Sequence, residues 1–305
     1  MALCKQGNQN SKVYLLFAFC IYYNRFQDEQ GKIHYGQPIL SGEELKQSDV
    51  QKGLKAHIIE GDIWANCTVT AKTCTVKKLL SPVTPSVIRC IGLNYRRHAQ
   101  ETGSRLPVKP ILFMKPATSA CGPFDPIRVP TVAQDDKIDY EAELAVVIGK
   151  ECRNVTKENA LKYVAGYTIC NDVSARNWQL GPNSGGQWNF SKGFDTFAPL
   201  GPMVVSSNVI KDPQTLRLGT KLDGRLLQDF TTSDMIFDVS TIVSFLSQGT
   251  TLLPGDVIIT GTPHGVGYTR NPPVLLKHGN KCEIFIEGIG NIVNSVEYER
   301  GQSKL

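Results

Sequence analysis

The stretch Asp139-Tyr140-Glu141-Ala142-Glu143-Leu144-Ala145-Val146-Val147-Ile148-Gly149 decides the reading of this chain. Its second half is an unbroken apolar run of strand length closed by a glycine, the pattern of a strand covered on both faces. In a strand, residues i and i+2 share a face, so Glu141 and Glu143 project together with their carboxylates a few ångströms apart. A bare Glu-x-Glu pair is ordinarily a solvated strand face. Here the apolar run buries both faces, and two like charges held that close out of water require a cation. A third carboxylate, Asp172, ends the apolar segment Tyr167-Thr168-Ile169-Cys170-Asn171-Asp172. Three carboxylates, with water filling the other positions, suit hard Mg²⁺ or Mn²⁺ better than zinc, which prefers His and Cys.

Outward from this strand, further strand patterns fall over residues 87–92, 111–113, 165–170, 203–205, 216–222, 257–260, 282–286 and 292–298. Turn signals at Asp223-Gly224, Pro254-Gly255, His278-Gly279 and Glu287-Gly288 separate them at short intervals. Helical patterns are few: one beginning near Asn94 and ending before Gly103, and others over 157–163 and 241–246. The regular helix-per-strand alternation of a doubly wound sheet is absent. The chain is therefore read as α+β and mainly β, with a mostly antiparallel or mixed sheet. Texture changes near residue 80, dividing an irregular tail or targeting segment (1–25), a small strand-rich N-terminal domain (26–80) and a larger catalytic domain (81–305).

The 305 residues carry 33 Lys plus Arg against 28 Asp plus Glu, with no basic run of five or more, so a nucleic-acid partner is not expected. The longest apolar run, residues 13–23, has 11 residues, where a membrane-spanning helix needs about 20; no membrane role is expected. Nine cysteines form an odd set without a Cys-x-x-Cys pair, which signals neither a disulfide framework nor a zinc knuckle. They read as reduced thiols in an intracellular compartment, cytoplasmic or mitochondrial.

Six segments together resemble the fumarylacetoacetate hydrolase family. They are Ile91-Gly92-Leu93-Asn94-Tyr95, Phe113-Met114-Lys115-Pro116, Asp139 to Leu144, Asn171-Asp172-Val173-Ser174-Ala175-Arg176, Ser191-Lys192-Gly193-Phe194-Asp195 and Gly261-Thr262-Pro263-His264-Gly265-Val266-Gly267. They follow the family's order over roughly two thirds of the chain, and the segments around Asp172 and over 194–202 look most similar to the subgroup that includes oxaloacetate tautomerases. The resemblance implies a mixed β-sheet roll or barrel behind a small strand-rich domain, and a homodimer. It implies that Glu141, Glu143 and Asp172 hold Mg²⁺ or Mn²⁺ against a small 2-oxo acid. Lys192 then stabilises enolate charge, Thr262 holds a substrate carboxylate, and Tyr95, Arg176 and Gln179 contact the substrate, Arg176 also in an orienting role. The implied activity is keto-enol tautomerisation of oxaloacetate type or carbon-carbon bond hydrolysis. Acylpyruvate hydrolysis, oxaloacetate decarboxylation and a specialised isomerase stand as alternatives.

Some members of the family carry His-x-x-Glu on a segment that folds over the metal. His98 and Glu101 lie on one face of a helical turn and match that pair, with His98 as general base; spacing alone also fits a surface ion pair. Leu93 departs from the pattern, because some acylpyruvate-cleaving relatives place a basic residue there. The glycine-rich turn 261–267 lacks the Gly-Lys-Ser/Thr ending of a P-loop. A non-catalytic scaffold would be expected to lose ligands, whereas the three carboxylates, Lys192 and the dyad all stand here.

Overall fold

In the computed structural model, which describes residues 21–181 and 184–301, the apolar run after Glu141 forms the strand Ala142–Ile148, with every residue buried. It pairs antiparallel with Val164–Asn171 on one side and Val257–Ile259 on the other. Beyond Val257–Ile259 the sheet continues through the parallel strand Val87–Gly92 to Ile111–Pro116. In the other direction it runs through Ala198–Ser206 to Tyr22–Gln27, Ile33–Pro38, Lys55–Gly61 and Cys67–Thr75. The expected mainly β fold with a mixed sheet is what forms; the two ends of this sheet are different strands that do not meet, so among the described residues it does not close into a barrel.

A second sheet of five strands, ordered Arg225–Thr231, Arg217–Leu222, Lys281–Ile286, Gly290–Tyr298 and Ile127–Val129, covers one face of the central strand. Leu144, Val146 and Ile148 share a core with Leu218, Ile284, Ile286 and Ile292 of that sheet. The alternate residues, Ala145 and Val147, pack on the opposite face with Ile88, Cys90, Phe113 and Cys170. Strand alternation places Glu141 and Glu143 on this second face, where the apolar packing gives way to a cavity.

The N-terminal tail expected over 1–25 falls mostly outside the described residues, but Tyr22 to Arg25 stand in a strand. That strand joins the larger unit directly, Tyr22 opposite Val205 and Tyr23 opposite Val204. Helices are short, as the sequence patterns imply. The segment expected over 241–246 is the helix Val239–Leu246, started by Asp238, whose carboxylate accepts the Thr241 N–H at 2.7 Å. The pattern over 157–163 is a 3₁₀ helix. Among the described residues no helix is long and apolar enough to cross a membrane.

Candidate active site

Strand register brings the three carboxylates together. Ala142 lies opposite Asn171 and Glu143 opposite Cys170, so one step further out Glu141 faces Asp172, whose N–H donates to the Glu141 carbonyl at 3.0 Å. Carboxylate oxygens of Glu141, Glu143 and Asp172 all lie within 4.8 Å of one another, and all three residues are buried. They line a cavity of about 210 Å³ together with His98, Arg176, Gln179, Lys192, Gly261, Thr262 and Tyr268.

Three buried cations answer four buried carboxylates. Lys192, carried by the helix Trp188–Lys192, reaches Glu141 Oε2 at 2.8 Å, Asp172 Oδ2 at 2.5 Å and Ser174 Oγ at 2.6 Å. Lys115, on the edge strand, meets Asp172 Oδ1 at 2.6 Å and donates to the Phe197 and Val173 carbonyls. Arg176 donates to Glu141 Oε1 at 2.7 Å, Asp139 Oδ2 at 2.9 Å and Gln179 Oε1 at 2.7 Å, with its guanidinium over the Tyr268 ring. Asp139 in turn accepts the Tyr140, Gly267 and Tyr268 backbone N–H groups.

The electrostatics are uneven across this set. Burial pushes the Glu141 carboxyl up, but the adjacent Lys192 and Arg176 charges outweigh it and hold it far below the ordinary carboxylate range. Burial likewise disfavours the Lys192 ammonium, yet Asp172 and Glu141 hold it protonated. Glu143 stands apart: burial, then the charges of Asp172 and Glu141, push its carboxyl well above the ordinary range. It makes no ion pair among the described residues; its Oε2 accepts the Gly261 N–H at 2.6 Å. A divalent ion fits this arrangement. It would relieve the repulsion that falls on Glu143, and the carboxylate oxygens keep lone pairs beyond those their present partners use. An all-oxygen donor set selects a hard ion such as Mg²⁺ or Mn²⁺.

The helix Arg96–Glu101 closes one side of the cavity. Its N-terminus is held from outside, with Asp234 accepting the Arg97 N–H at 3.0 Å and Arg96 donating to the Met235 carbonyl. At its other end Glu101 Oε2 meets His98 Nδ1 at 3.0 Å, while Oε1 accepts from Gly265 N and Thr269 Oγ1 at 2.9 and 2.8 Å. The Glu101 carboxyl is pushed up by burial, but these three hydrogen bonds bring it below its ordinary value. An ionised carboxylate only accepts, so Nδ1 of His98 donates to it, and in the neutral ring Nε2 is the nitrogen left to take a proton. His98 and Glu101 therefore pair as a dyad in a cavity wall, anchored to the glycine-rich turn.

Nine of the ten residues assigned from the sequence take part in this constellation. Tyr95 does not line the cavity: it is fully buried in the core at the head of the helix, behind the wall. Arg176 lines the cavity but spends its donors on Glu141, Asp139 and Gln179, which makes it a brace for the carboxylates. Sequence reasoning passed over Lys115, Asp139 and Tyr268. Lys115 carried a readable signal, since it shares a strand face with buried Phe113 and a lysine on such a face needs an anion. A separate convergence of Asp28, His34 and Cys74 lies in the N-terminal strands. There the Asp28 carboxylate is already engaged by the Gln30 and Lys32 N–H groups and by His34 Nε2 at 2.7 Å.

Comparison with known proteins agrees with this site. Residues 87–297 match the family described as fumarylacetoacetate (FAA) hydrolase, C-terminal. The chain is 46% identical over 241 residues to a fumarylacetoacetate hydrolase domain-containing protein 2 homolog of Dictyostelium discoideum, covering 76% of this chain and 77% of that one. It is 47% identical over 219 residues to the mitochondrial oxaloacetate tautomerase fahd2 of Xenopus laevis, covering 72% and 68%. A crystal structure of a 2-hydroxyhepta-2,4-diene-1,7-dioate isomerase from Mycobacterium marinum superposes with TM-score 0.76 at 35% identity, over 92% of this chain and all of that one. The chain belongs to the fumarylacetoacetate hydrolase family, and it is an enzyme of that family of hydrolases, isomerases and tautomerases.

Proposed function

We propose that the chain is a divalent-metal-dependent keto-enol tautomerase of a small 2-oxo acid of the oxaloacetate type. The observation that carries this reading is the convergence of Glu141, Glu143 and Asp172 in one cavity with the Lys192 ammonium group and a His98 whose Nδ1 is engaged by Glu101. The relatives named as oxaloacetate tautomerases support the substrate class. A cavity of about 210 Å³ is smaller than the roughly 300–1,000 Å³ typical of drug-sized ligands and suits a small acid.

Glu141, Glu143 and Asp172 would hold the Mg²⁺ or Mn²⁺. When bound, such an ion supplies Lewis-acid polarisation of the 2-oxo group. His98 takes the proton from the carbon beside that carbonyl and returns one to the oxygen, Glu101 keeping its imidazole in the productive tautomer. Lys192 offsets the negative charge that develops on the enolate oxygen, in a site where low exposure strengthens the interaction. Thr262 holds the substrate carboxylate, and Arg176 and Gln179 keep Glu141 in place. Relatives that carry the word mitochondrial in their names support a mitochondrial setting. The reading includes a homodimer.

The test is substitution of the carboxylates. Glu141→Ala and Asp172→Ala are each expected to weaken Mn²⁺ binding, followed by electron paramagnetic resonance, and to lower metal-dependent turnover of oxaloacetate by at least about a hundredfold, in line with the loss of a principal electrostatic stabiliser. Turnover retained at the wild-type level in either variant would remove the metal assignment.

A further inference from the structure

The strand Arg225–Thr231 carries a glutamine that the chemistry above does not use. Gln228 is 1% exposed, and all four of its hydrogen-bonding positions are filled. Its Oε1 accepts from the Ala142 N–H at 3.0 Å and from Thr220 Oγ1, its cross-strand partner, at 2.7 Å. Its Nε2 donates to the Pro263 carbonyl at 2.8 Å and to Thr262 Oγ1 at 2.9 Å. The amide cannot be turned end for end. A backbone N–H only donates and a carbonyl only accepts, so the flipped group would set donor against donor at Ala142 and acceptor against acceptor at Pro263.

Nε2 therefore faces Thr262, and the Thr262 oxygen must accept. Its own hydrogen is left over, because among the described residues Thr262 Oγ1 has no second partner. Thr262 lines the cavity beside Glu143, Gly261 and Lys192, whereas Gln228 lies behind the wall.

We propose that Gln228 is a positioning residue that turns the Thr262 hydroxyl hydrogen toward the cavity, so that this wall favours an anionic oxygen of the ligand. The proposal rests on the 2-oxo-acid reading for the identity of that oxygen. A freely rotating threonine hydroxyl can aim its hydrogen anywhere; the Gln228 N–H occupies one of its two lone pairs and excludes a hydrogen aimed back at the amide, which leaves that hydrogen for the cavity side. The same amide also anchors Ala142, between the two glutamate ligands. A purely structural role would thus weaken the metal site, and a positioning role would act through Thr262 alone.

A double-mutant cycle separates the two. Wild type, Gln228→Met, Thr262→Val and the double variant are loaded with Mg²⁺ and titrated with oxalate by calorimetry. KM and kcat for oxaloacetate, Mn²⁺ affinity and thermal melting are measured alongside. Each single variant is expected to raise the oxalate Kd and KM about tenfold, the scale of a hydrogen bond to a charged group. Mn²⁺ affinity should stay at the wild-type value and kcat should change far less than KM. The double variant should match Thr262→Val with no further loss. Thr262→Ser, which keeps the hydroxyl, should bind oxalate as wild type does, and Gln228→Leu is a second truncation of the same bonds should Gln228→Met melt the fold. Losses that multiply to about a hundredfold in the double variant, or an equal loss of Mn²⁺ affinity in Gln228→Met, would overturn the proposal and leave the 2-oxo-acid reading standing. Failure of the Mg²⁺-loaded wild type to bind oxalate would overturn both.

Discussion

His98 has Nδ1 engaged by Glu101 at 3.0 Å, and the ring lines the cavity rather than the outer surface. His98→Ala is therefore expected to lower turnover by about two to four orders of magnitude, the usual worth of a positioned general base, while Mn²⁺ binding persists. Wild-type rates in that variant would return the pair to a surface contact. The pH dependence follows from Glu101, whose carboxyl in the fold is held below its ordinary value by three hydrogen bonds. A lowered folded value means the stabilisation is complete above the unfolded value of about 4.3 and is lost as pH falls through the folded one. The melting advantage of wild type over Glu101→Gln should hold from neutrality to about pH 5 and shrink only below that. An advantage already gone at pH 6 would contradict the geometry. These residues were legible because their relations are local: i and i+2 on a strand, i and i+3 on a helical turn. Asp139 and Gln228 were not, because their partners lie far along the chain: Asp139 finds Gly267, and Gln228 finds Ala142 and Thr262; Lys115 shows a buried face in the sequence, but not that its partner is Asp172.

At the level of elements, the apolar run after Glu141 and the glycine-punctuated strands were readable from period and turn chemistry. The strand Arg225–Thr231 was not. Its order Arg-Leu-Leu-Gln-Asp-Phe-Thr breaks strict alternation, and its register is set by pairing with Arg217–Leu222, with a shift between Thr220 and Lys221. The residue that braces Thr262 was hidden with it. The turn after Gly261 shows a different dependence on the fold. Gly261 adopts φ +92°, and a Cβ there would sit 2.8 Å from the Asn94 Cβ, so only glycine lets the two loops that frame the cavity meet. At Gly267 the constraint is space alone: a Cβ would fall 2.2 Å from the Val274 carbonyl and 2.4 Å from Asp139 Oδ1. Gly267→Ala must push the Asp139 carboxylate off Arg176 or move the loop. The expected cost is about 3 kcal/mol, the upper end of overpacking, and a melting temperature lower by about 6 °C or more. A variant that melts with the wild type would show that the loop yields freely.

Across the whole molecule, the five-stranded sheet closes one face of the central strand, and on the other face the apolar packing gives way at the glutamate end to the carboxylate cavity, which is why a buried strand can carry two glutamates there. The larger unit also leaves Ile111, Leu112 and Phe190 exposed along an apolar groove, a surface that the proposed homodimer can bury. Sedimentation is expected to give about twice the 33.6 kDa of one chain, and a 33.6 kDa species at micromolar concentration would contradict the dimer. The central claim is chemical, and nuclear magnetic resonance tests it most directly. Oxaloacetate and acetylpyruvate are supplied in parallel to the Mg²⁺-loaded protein, and the keto, enol and cleavage signals are followed. The account predicts faster keto-enol exchange of oxaloacetate, dependent on the metal and lost in His98→Ala, with no new carbon fragments. Release of acetate and pyruvate from acetylpyruvate without accelerated exchange of oxaloacetate would contradict it and make the dyad an activator of water.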